Sequence, residues 1–400
     1  MSGSTGSGLS PKLAKLLNEP PISVELLPGD GSEWLANASS EHAPFLFVDR
    51  NLGVPQKAAY KAYLEAVPHF QSARQRLLES SQPPSKHDIA DAAASSSVLL
   101  LVNPAHQSAL NTRKRLVEFS VLDPTHELRF TDALLTLREG AKQSILWQHR
   151  RWLLRRIHRS TVPESLSISP SHGDGVDSLY NLVLDAETFR AEFAVVEKAC
   201  EVYPRNYHAW AHRFLCAQAL ISLLPGNDDS SPPPGPLMEV LREELARMRL
   251  WIERHISDYS AMQYYRQLEG LLPRESPLRT LCTKDTFNKH AMELVRAYPT
   301  YESLWLYLRS SLPFVPCTPD ALTPTKEGGA TTLAGPFLSS GAKNDRPARR
   351  HAVWFIAWMS WTSKKIQLDG ASMRKIADIA ETNTPLTVAE LVACLRDHGE

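Results

Sequence analysis

The sequence lacks the short motifs that mark common self-contained active sites. It has no P-loop, no GxSxG turn around a nucleophilic serine, no Gly-rich dinucleotide turn and no Asp-x-Cys zinc pair. Long hydrophobic runs are also missing, since the longest aliphatic stretch, VLLLV at 98–102, is far too short to span a bilayer. These absences predict a protein without an active site of its own.

Charge of one sign and paired cysteines are absent as well. Basic and acidic residues number 44 each, so no overall field draws the chain to nucleic acid or anionic lipid. Five scattered cysteines form no CxxC pair, which predicts free thiols in a reducing compartment. The N-terminus has no apolar signal region and the C-terminus, RDHGE, has no CaaX box. We therefore expect a cytoplasmic protein that is not itself prenylated there.

Glycine, proline and serine are concentrated in a few stretches, and helical spacing fills the rest of the chain. The Gly/Ser-rich residues 1–20 are predicted to be disordered. Residues 21–400 are predicted to form a single helical-repeat solenoid, with polar insertions at about 160–177, 225–236 and 318–347. Strand alternation is found only around ISVELL (22–27) and FLFV (45–48). The predicted fold class is all-α, an alpha-alpha superhelix built as a right-handed solenoid of helical hairpins.

Five related stretches support this repeat architecture. They are NPAHQSALNTRKRLV, AKQSILWQHRRWLL, PRNYHAWAHRFLC, DYSAMQYYRQLE and PTYESLWLYLRSSL, each aligned on an arginine that follows a bulky apolar position. The arginines are Arg113, Arg150, Arg213, Arg266 and Arg309, and the bulky positions are Leu110, Trp147, Trp210, Gln263 (or Met262 with a one-residue slip) and Trp305. Without the insertions the period falls near ~35–40 residues, as in helix-hairpin solenoids.

The repeated tryptophan and arginine are interpreted as architecture. Residues three apart share a helix face, so the indole is expected to fill the space inside a hairpin while the guanidinium stacks or caps carbonyls of a neighbouring unit. The predicted structural residues are Trp147, Arg150, Trp210, Arg213, Trp305 and Arg309. Asn206 and Asp258 precede their helices as predicted N-caps.

Two further patterns are given structural interpretations. His208 and His212 are four residues apart, but no HExxH motif accompanies them, so no metal site is predicted. Arg151, Arg155 and Arg159 form a helical stripe that could meet phosphate, nucleic acid or water. A solvated face is preferred, because the chain as a whole is neutral.

The repeats resemble those of the protein prenyltransferase alpha subunits, whose pattern is (K)NYxxWxxRxxxl. The resemblance is strongest in NYHAWAHR and WQHRRWLL and covers roughly 100–310. The stretches VELLPGDG, FLFVDRNLGV and SVLLLVNPAHQSALNTRKRLV are similar to the alpha-subunit-repeat-containing proteins within that family. The resemblance implies a crescent of helical hairpins around a beta subunit, which holds the catalytic zinc. No cofactor is then expected in this chain.

The resemblance also implies site residues at the mouth shared with the beta subunit. The family's lysine, five residues before the second-repeat tryptophan, corresponds to Lys142, the predicted catalytic residue. A point cation there can neutralise charge on a leaving diphosphate. The family's asparagine, tyrosine and histidine correspond to Asn206, Tyr207 and His208, predicted to bind the prenyl diphosphate. The family's NYQ-type residues in the second repeat are replaced by Gln143, Ser144 and Ile145, which argues against farnesyltransferase-style CaaX recognition.

Three functions are compatible with these observations. The first is the alpha (non-zinc) subunit of a heterodimeric protein prenyltransferase, which supports transfer of a geranylgeranyl or farnesyl group from its diphosphate to a C-terminal cysteine of an acceptor protein. The second is an interaction scaffold that kept the repeat and lost the chemistry, as the substitutions at Ser144 and Ile145 suggest. The third, an RNA-binding repeat, rests only on the arginine stripe. Neither nucleic-acid binding nor membrane insertion is predicted.

Overall fold

The computed structural model describes residues 8–32, 41–79, 85–160, 178–180, 182–224, 235–272, 284–312, 330–339, 346–364, 370–382 and 384–396. Within these residues the chain forms seventeen helices and three short strands. The strands are β1 (Ser23–Leu27), β2 (Leu46–Val48) and β3 (Asn51–Pro55). The prediction of an all-α protein built from paired helices is confirmed, and both predicted strand regions are found.

The helices follow one another with short connections wherever the chain is described. They are α1 (Leu9–Asn18), α2 (Gln56–Glu79), α3 (Lys86–Val102), α4 (Gln107–Glu118), α5 (Pro124–Leu135), α6 (Arg138–Ala141), α7 (Ser144–Ile157), α8 (Ala186–Val202), α9 (Tyr207–Ser222), α10 (Pro236–Arg254), α11 (Tyr259–Leu271), α12 (Lys284–Ala297), α13 (Glu302–Ser311), α14 (Ala330–Ser339), α15 (Arg346–Lys364), α16 (Gly370–Glu381) and α17 (Val388–Arg396).

The chain divides into two compact units. The first contains residues up to Leu224 together with 234–240, and the second contains the chain from Leu241 onward together with 225–233. In the first unit α5 packs on α7 and α8 on α9, and in the second unit α12 packs on α13 and α14 on α15. These are the predicted helical hairpins. That residues 21–400 form one solenoid stays a prediction.

The small sheet of the first unit lies against α5. β3 is the central strand, parallel to β1 and antiparallel to β2, with Ser23 opposite Asn51 and Val48 also opposite Asn51. The backbone N–H of Val24 donates to the Thr136 hydroxyl (2.8 Å), at the residue that ends α5. The sheet is thereby fixed to the start of the repeat region.

The prediction that residues 1–20 are disordered is wrong for the part that the structure describes. Leu9–Asn18 is a helix whose buried face includes Leu13 and Leu17. It packs against α2 and α3, and the Ser10 N–H donates to the Glu65 carboxylate (2.8 Å). Gly/Ser composition suggested disorder, but the leucine spacing in LSPKLAKLLN gives one apolar helix face with a core to bury it.

The predicted insertions are described only in part. Most of 160–177 and 225–236 lies outside the described residues, although Pro236 already begins α10. The prediction of a polar insertion through 318–347 is wrong at Ala330–Ser339, which is a helix with Leu333, Ala334 and Leu338 buried. Glycine and proline favoured a loop there, but apolar residues at helical spacing pack this segment against α15. Residues 313–329 and 340–345 lie outside the described residues.

None of the described helices combines the length and the apolar composition that a membrane span requires.

The packing of α1 can be tested with one substitution and a control on the same helix. We expect Leu13→Ala to lower the free energy of unfolding by about 2–5 kcal/mol, because Leu13 is fully buried and the substitution leaves a cavity. The exposed Lys15→Ala should change it by less than about 0.5 kcal/mol. Deuterium exchange should show protected amides in α1 of the unaltered protein and faster exchange in Leu13→Ala. Uptake at random-coil rates across 9–18 in the unaltered protein would contradict the assignment.

Candidate functional site

The repeat tryptophans of the second and fifth repeats close the turn that precedes their helix. The Trp147 indole N–H donates to the Ala141 carbonyl (2.8 Å), and that of Trp305 donates to the Pro299 carbonyl (2.8 Å). Both carbonyls lie six residues before the tryptophan, and both rings are buried. The architectural interpretation of Trp147 and Trp305 is therefore supported, because each indole fills the hairpin and satisfies one buried carbonyl.

The arginine of the second repeat is held by a buried carboxylate from the next repeat. Arg150 on α7 donates from Nε and Nη2 to the two oxygens of Glu192 on α8, at 2.6 and 2.7 Å. The imidazole of His212, on α9, donates from Nε2 to the same carboxylate at 2.8 Å. Arg150, Glu192 and His212 are all almost completely buried. One carboxylate thus joins the arginine of one repeat to the histidine of the following one.

A second buried carboxylate makes the same bridge one repeat earlier. Glu127 on α5 accepts from Arg113 of α4 at Nε (2.9 and 3.0 Å) and at Nη2 (2.6 Å). It also accepts from Nε2 of His149 on α7 at 3.1 Å. We call the two bridges, Arg113–Glu127–His149 and Arg150–Glu192–His212, the carboxylate ladder. Its members explain why histidine stands directly before arginine in WQHR and WAHR.

Charge compensation decides the protonation states in the ladder. Burial by itself raises the pKa of Glu192, but the charge of Arg150 and the hydrogen bond from His212 outweigh it and lower the pKa to about 2. Glu127 behaves in the same way, with Arg113 and His149 as its partners, and its pKa is also about 2. Burial lowers the pKa of His212 and of His149, against the opposing effect of each glutamate. The resulting state is an ionised glutamate, a charged arginine and a neutral imidazole.

The third-repeat arginine also has a structural role. Arg213 is fully buried, donates to the Phe193 carbonyl (3.1 Å) and to Glu197 (3.1 Å), and stacks over the Phe193 ring. Its guanidinium lies 5.6 Å from the centre of the Trp210 ring. Trp210 and Arg213 therefore form part of the core of the α8–α9 hairpin.

The last two repeats keep the geometry of the bridge with different chemistry. On α11, Met262 and not Gln263 takes the buried tryptophan position, so the one-residue slip is the correct alignment. Tyr264 then takes the histidine position and donates to the buried Glu244 of α10 (2.7 Å). On α13, Tyr307 follows Trp305 by two residues and its hydroxyl contacts Nδ1 of His290 on α12 (3.1 Å). A phenol paired with a carboxylate or imidazole replaces the ionised pair.

The predicted alignment of the last two repeats on Arg266 and Arg309 is therefore one residue out of register. In the correct register the arginine position holds Tyr265 on α11 and Leu308 on α13, both buried. Arg309 lies one residue further along, exposed, with its guanidinium 4.3 Å from the centre of the Trp358 ring. Alignment on arginine misled because these two repeats no longer bury a charge at this position, and a nearby surface arginine imitates the pattern.

Asn206, predicted to bind diphosphate, is a structural residue. It is fully buried, its Oδ1 accepts from the Ala209 N–H (3.2 Å) as an N-cap, and its Nδ2 donates to the Ala141 carbonyl (2.7 Å). That carbonyl also accepts from Trp147. The diphosphate-binding role of Asn206 is therefore corrected, because its amide groups hold the start of α9 against the end of α6.

The other predicted site residues lie at the surface. Tyr207 is 73% exposed and its ring contacts the His208 ring edge-on, with centroids 5.5 Å apart. Burial first and the charge of Arg151 second lower the pKa of the half-buried His208, which is therefore a neutral imidazole near pH 7. Lys142 ends α6, and its ammonium, with the side chain 38% exposed, pairs with Glu139 at 2.5 Å. Because Asn206 binds the carbonyl of Ala141, the backbone next to Lys142 lies against the N-terminus of α9.

The arginine stripe of α7 is not a uniform solvated face. Arg151 is buried, whereas Arg155 is half-buried and donates to the Ser178 carbonyl (3.3 Å). Arg159 alone of the three is exposed. The stripe therefore offers RNA only one exposed arginine, which weakens the argument for an RNA-binding repeat.

The described residues contain one cluster with metal-ligating side chains, formed by Glu192, His212 and Cys216. His208 does not belong to this cluster. Both oxygens of Glu192 accept from Arg150, and burial raises the pKa of the Cys216 thiol well above its ordinary value. A neutral thiol and a carboxylate already bound to a guanidinium are poor ligands for a divalent cation. The cluster is therefore part of the ladder.

The two ladder glutamates were missed by sequence reasoning, although a signal exists. On α8, Glu192 lies on the same face as Phe189 and Val196, three residues after one and four before the other. A charged residue inside an apolar helical stripe is expected only where it is paired. The repeated His-Arg pairs in WQHR and WAHR supply such partners.

Removal of one ladder carboxylate should be strongly destabilising. We expect Glu192→Ala to lower the free energy of unfolding by about 3–5 kcal/mol, because the buried Arg150 loses the carboxylate that binds two of its nitrogens and is left with its contact to Asp132. The matched control is Glu187→Ala on the same helix, where the carboxylate is exposed and pairs with Arg190 on the surface. It should cost less than about 1 kcal/mol. Urea unfolding followed by tryptophan fluorescence measures both, and equal effects would contradict the buried bridge.

Acid should destabilise the protein through the same groups. The pKa of His212 is lower in the folded state than 6.5, so the unfolded chain takes up this proton first as the pH falls. The pKa of Glu192 is about 2 when folded and 4.5 in its ordinary state, so its stabilisation is complete above pH 4.5 and is lost as the pH falls towards 2. We expect the thermal midpoint to fall from pH 6.5 to pH 3. In Glu192→Ala this decrease should be smaller, and an equal decrease would argue against the assignment.

Two pairs of helices match the family model described as the protein prenyltransferase alpha subunit repeat. The matched residues are 189–220, within α8 and α9, and 241–270, within α10 and α11. They include Glu192, His212 and Arg213 in the first match and Glu244 and Tyr264 in the second. The Glu192–His212 part of one bridge and the Glu244–Tyr264 pair therefore lie within the matched repeats.

The chain is also similar to curated proteins that carry this repeat. It is 29% identical over 241 residues to protein prenyltransferase alpha subunit repeat-containing protein 1 of Danio rerio, a match that covers 53% of this chain and 52% of that protein. It is 30% identical over 182 residues to protein prenyltransferase alpha subunit repeat-containing protein 1-A of Xenopus laevis, a match that covers 44% of this chain and 36% of that protein. It is 28% identical over 196 residues to protein prenyltransferase alpha subunit repeat-containing protein 1 of Homo sapiens, a match that covers 49% of this chain and 41% of that protein.

The chain thus spans about half or less of the length of these relatives. The predicted family is confirmed by the repeat model and by these relatives together. Two helix pairs of this chain thus match the protein prenyltransferase alpha subunit repeat, and the chain is similar to the proteins that are named for this repeat.

Proposed function

We propose that this chain is the alpha, non-zinc subunit of a two-subunit protein prenyltransferase. It would support transfer of a geranylgeranyl, or alternatively a farnesyl, group from its diphosphate to a C-terminal cysteine of an acceptor protein. The observation that carries the proposal is the double use of the Ala141 carbonyl by Trp147 and Asn206. This contact joins the second and third repeats at the point where Lys142 follows one and Tyr207 begins the other.

The charges at this surface suit an anionic leaving group. Lys142 is held only by an exposed ion pair with Glu139, and such pairs contribute about 0–1 kcal/mol. An incoming diphosphate with more than one negative charge can therefore compete with Glu139 for the ammonium. In the transition state Lys142 would stabilise the charge that develops on the departing diphosphate.

The neighbouring residues would orient the diphosphate without adding charge. The exposed Tyr207 hydroxyl can donate a hydrogen bond, and the neutral His208 can donate from one ring nitrogen. Both lie in the first turn of α9, where the helix dipole favours negative charge. In this proposal Asn206 is a positioning residue, because it fixes the end of α6 relative to this turn.

The remaining chemistry would come from a partner. We propose a beta subunit that supplies the zinc, which lowers the pKa of the acceptor cysteine and makes it a nucleophile. Gln143, Ser144 and Ile145 are half-buried beside Lys142 and differ from the family's NYQ-type residues. A site lined in this way favours a geranylgeranyl-type enzyme over farnesyltransferase-style CaaX recognition, and we propose that it acts in the cytoplasm.

A second candidate function is an interaction scaffold without prenyl transfer. The observation that favours it is the burial of Asn206, whose amide nitrogen and oxygen both form hydrogen bonds within the fold. In that case the repeat hairpins would bind partners while Lys142 remains an ordinary surface residue.

Single-turnover kinetics of a reconstituted complex separates the two functions. The chain is co-expressed with candidate prenyltransferase beta subunits, and transfer of radiolabelled geranylgeranyl from its diphosphate to a cysteine-tailed acceptor is measured. We expect Lys142→Ala to slow the chemical step by about 10²-fold or more, because one preorganised cation is lost. The matched control is Glu139→Gln, which removes the partner of Lys142 but keeps the cation, and it should leave the rate within about threefold.

Three outcomes would count against the prenyltransferase proposal. Failure to form a complex with any beta subunit would remove the proposed mechanism altogether. A stable complex whose single-turnover rate is the same in Lys142→Ala would remove the role of Lys142. A stable complex without transfer to any acceptor would favour the scaffold.

A further inference from the structure

The second unit carries an open groove on the exposed sides of α11, α13 and α15. Two adjoining depressions, with volumes of about 420 and 290 Å³, share three lining residues, Leu306, Arg309 and Trp358. The larger one extends to Tyr259 and Arg266 on α11, and the smaller one to Arg350 and Trp354 on α15. We call this surface the Arg309 groove. All of its lining residues belong to the second unit.

The Arg309 groove is strongly positive. Arg266, Arg309 and Arg350 line it from three different helices, while Glu302 is the one carboxylate among its described lining residues. Three guanidiniums from separate elements are therefore directed to one surface of a chain whose overall charge is balanced. Such a concentration favours an anionic ligand, and arginine is the residue best suited to pair with carboxylates.

Arg309 already shows the effect of this crowding. The pKa of Arg309 is lowered, mainly by partial burial of its guanidinium and secondly by the positive charge of Arg266. The guanidinium stacks on the Trp358 ring at 4.3 Å, which fixes its orientation. A ligand carboxylate placed between the two arginines would relieve their repulsion.

The floor of the groove is apolar, which distinguishes it from a simple phosphate site. Leu306 lies at the centre and is 48% exposed, and Tyr259 at one end is 55% exposed. Trp354 and Trp358 are half-buried along the other side. Tyrosine and tryptophan rings next to arginines are the residue types enriched in protein-binding hot spots. A ligand that fits must carry aliphatic or aromatic side chains as well as negative charge.

The extent of the groove indicates a peptide. Neighbouring packed helices are about 8–10 Å apart, so a segment that crosses three of them spans about 20 Å. An extended chain covers this length with about six residues. We propose that the Arg309 groove binds an extended, acidic segment of a protein partner, with carboxylates at Arg266, Arg309 and Arg350 and an apolar side chain on Leu306 and Trp358. This inference is independent of prenyl transfer.

The test uses the full chain and a phage-displayed library of random peptides of roughly 12 residues, long enough to cover the groove. Enriched peptides should carry at least two carboxylates together with an aliphatic or aromatic residue. The dissociation constant of the most enriched peptide is then measured by fluorescence polarisation. We expect Arg309→Glu and Leu306→Asp each to weaken binding by about tenfold or more.

The chain offers a matched control for each variant in the second unit. Arg296→Glu makes the same charge change at an exposed position at the end of α12, outside the groove. Leu250→Asp makes the same polarity change at a leucine of similar exposure on α10. Both should bind the peptide within about twofold of the unaltered protein. Circular dichroism and the thermal midpoint must show that all four variants are folded.

Three results would overturn the proposal. Enriched peptides without acidic residues would remove the charge argument. Equal loss of binding in the groove variants and in their controls would show that binding occurs elsewhere. A single-stranded RNA of similar length that competes for the groove more strongly than the acidic peptide would assign it to nucleic acid.

Discussion

Two buried glutamates, Glu127 and Glu192, hold successive repeats of the first unit together. Each accepts from an arginine of the preceding repeat and from a histidine of its own hairpin. A buried ion pair repays the cost of leaving water only when its geometry is good and its remaining polar atoms are bonded. Each glutamate binds side chains from two other helices, so the three helices must keep their spacing for these bonds to form. A shift between the hairpins would break contacts of a buried charge. The position of Lys142 near Tyr207 depends on that fixed spacing.

The ladder changes its chemistry along the chain. In the second unit the glutamate is kept at Glu244, but its partner is the phenol of Tyr264, and on α12 and α13 the pair is His290 with Tyr307. Arg266 and Arg309 each follow the core position by one residue, and they line an aromatic groove on the surface. The second unit thus keeps a buried glutamate on α10 while its arginines Arg266 and Arg309 lie at the groove.

Much of the architecture follows from local patterns. Helical periodicity indicated the hairpins, and the repeated WxxR stretches identified the family and the buried Trp147, Trp210 and Arg150. Predictions failed where composition and packing disagreed. The Gly/Ser-rich composition of residues 1–20 predicted disorder, although the leucines of α1 form an apolar helix face. Glycine and proline in 330–339 predicted a loop, although this segment is a helix whose buried leucines contact α15. The alignment on Arg309 was one residue out of register, because this surface arginine directly follows the core position that Leu308 occupies. The outcome for Asn206 differs again, since an amide that caps a helix and an amide that binds an anion have the same sequence signature.

The order of residues along each helix already settled which faces are apolar, where helices start, and that tryptophan and arginine recur as a unit. Those properties depend on neighbours within four residues, and they can be read from a single chain. Only the tertiary structure could decide which carboxylate meets which arginine, because Arg150 and Glu192 are separated by 42 residues. It likewise decided that Asn206 faces the Ala141 carbonyl while Tyr207, one residue later, faces solvent. Burial is a property of the packed hairpins and not of the residue, so the division between core and surface within RNYHAW required the fold.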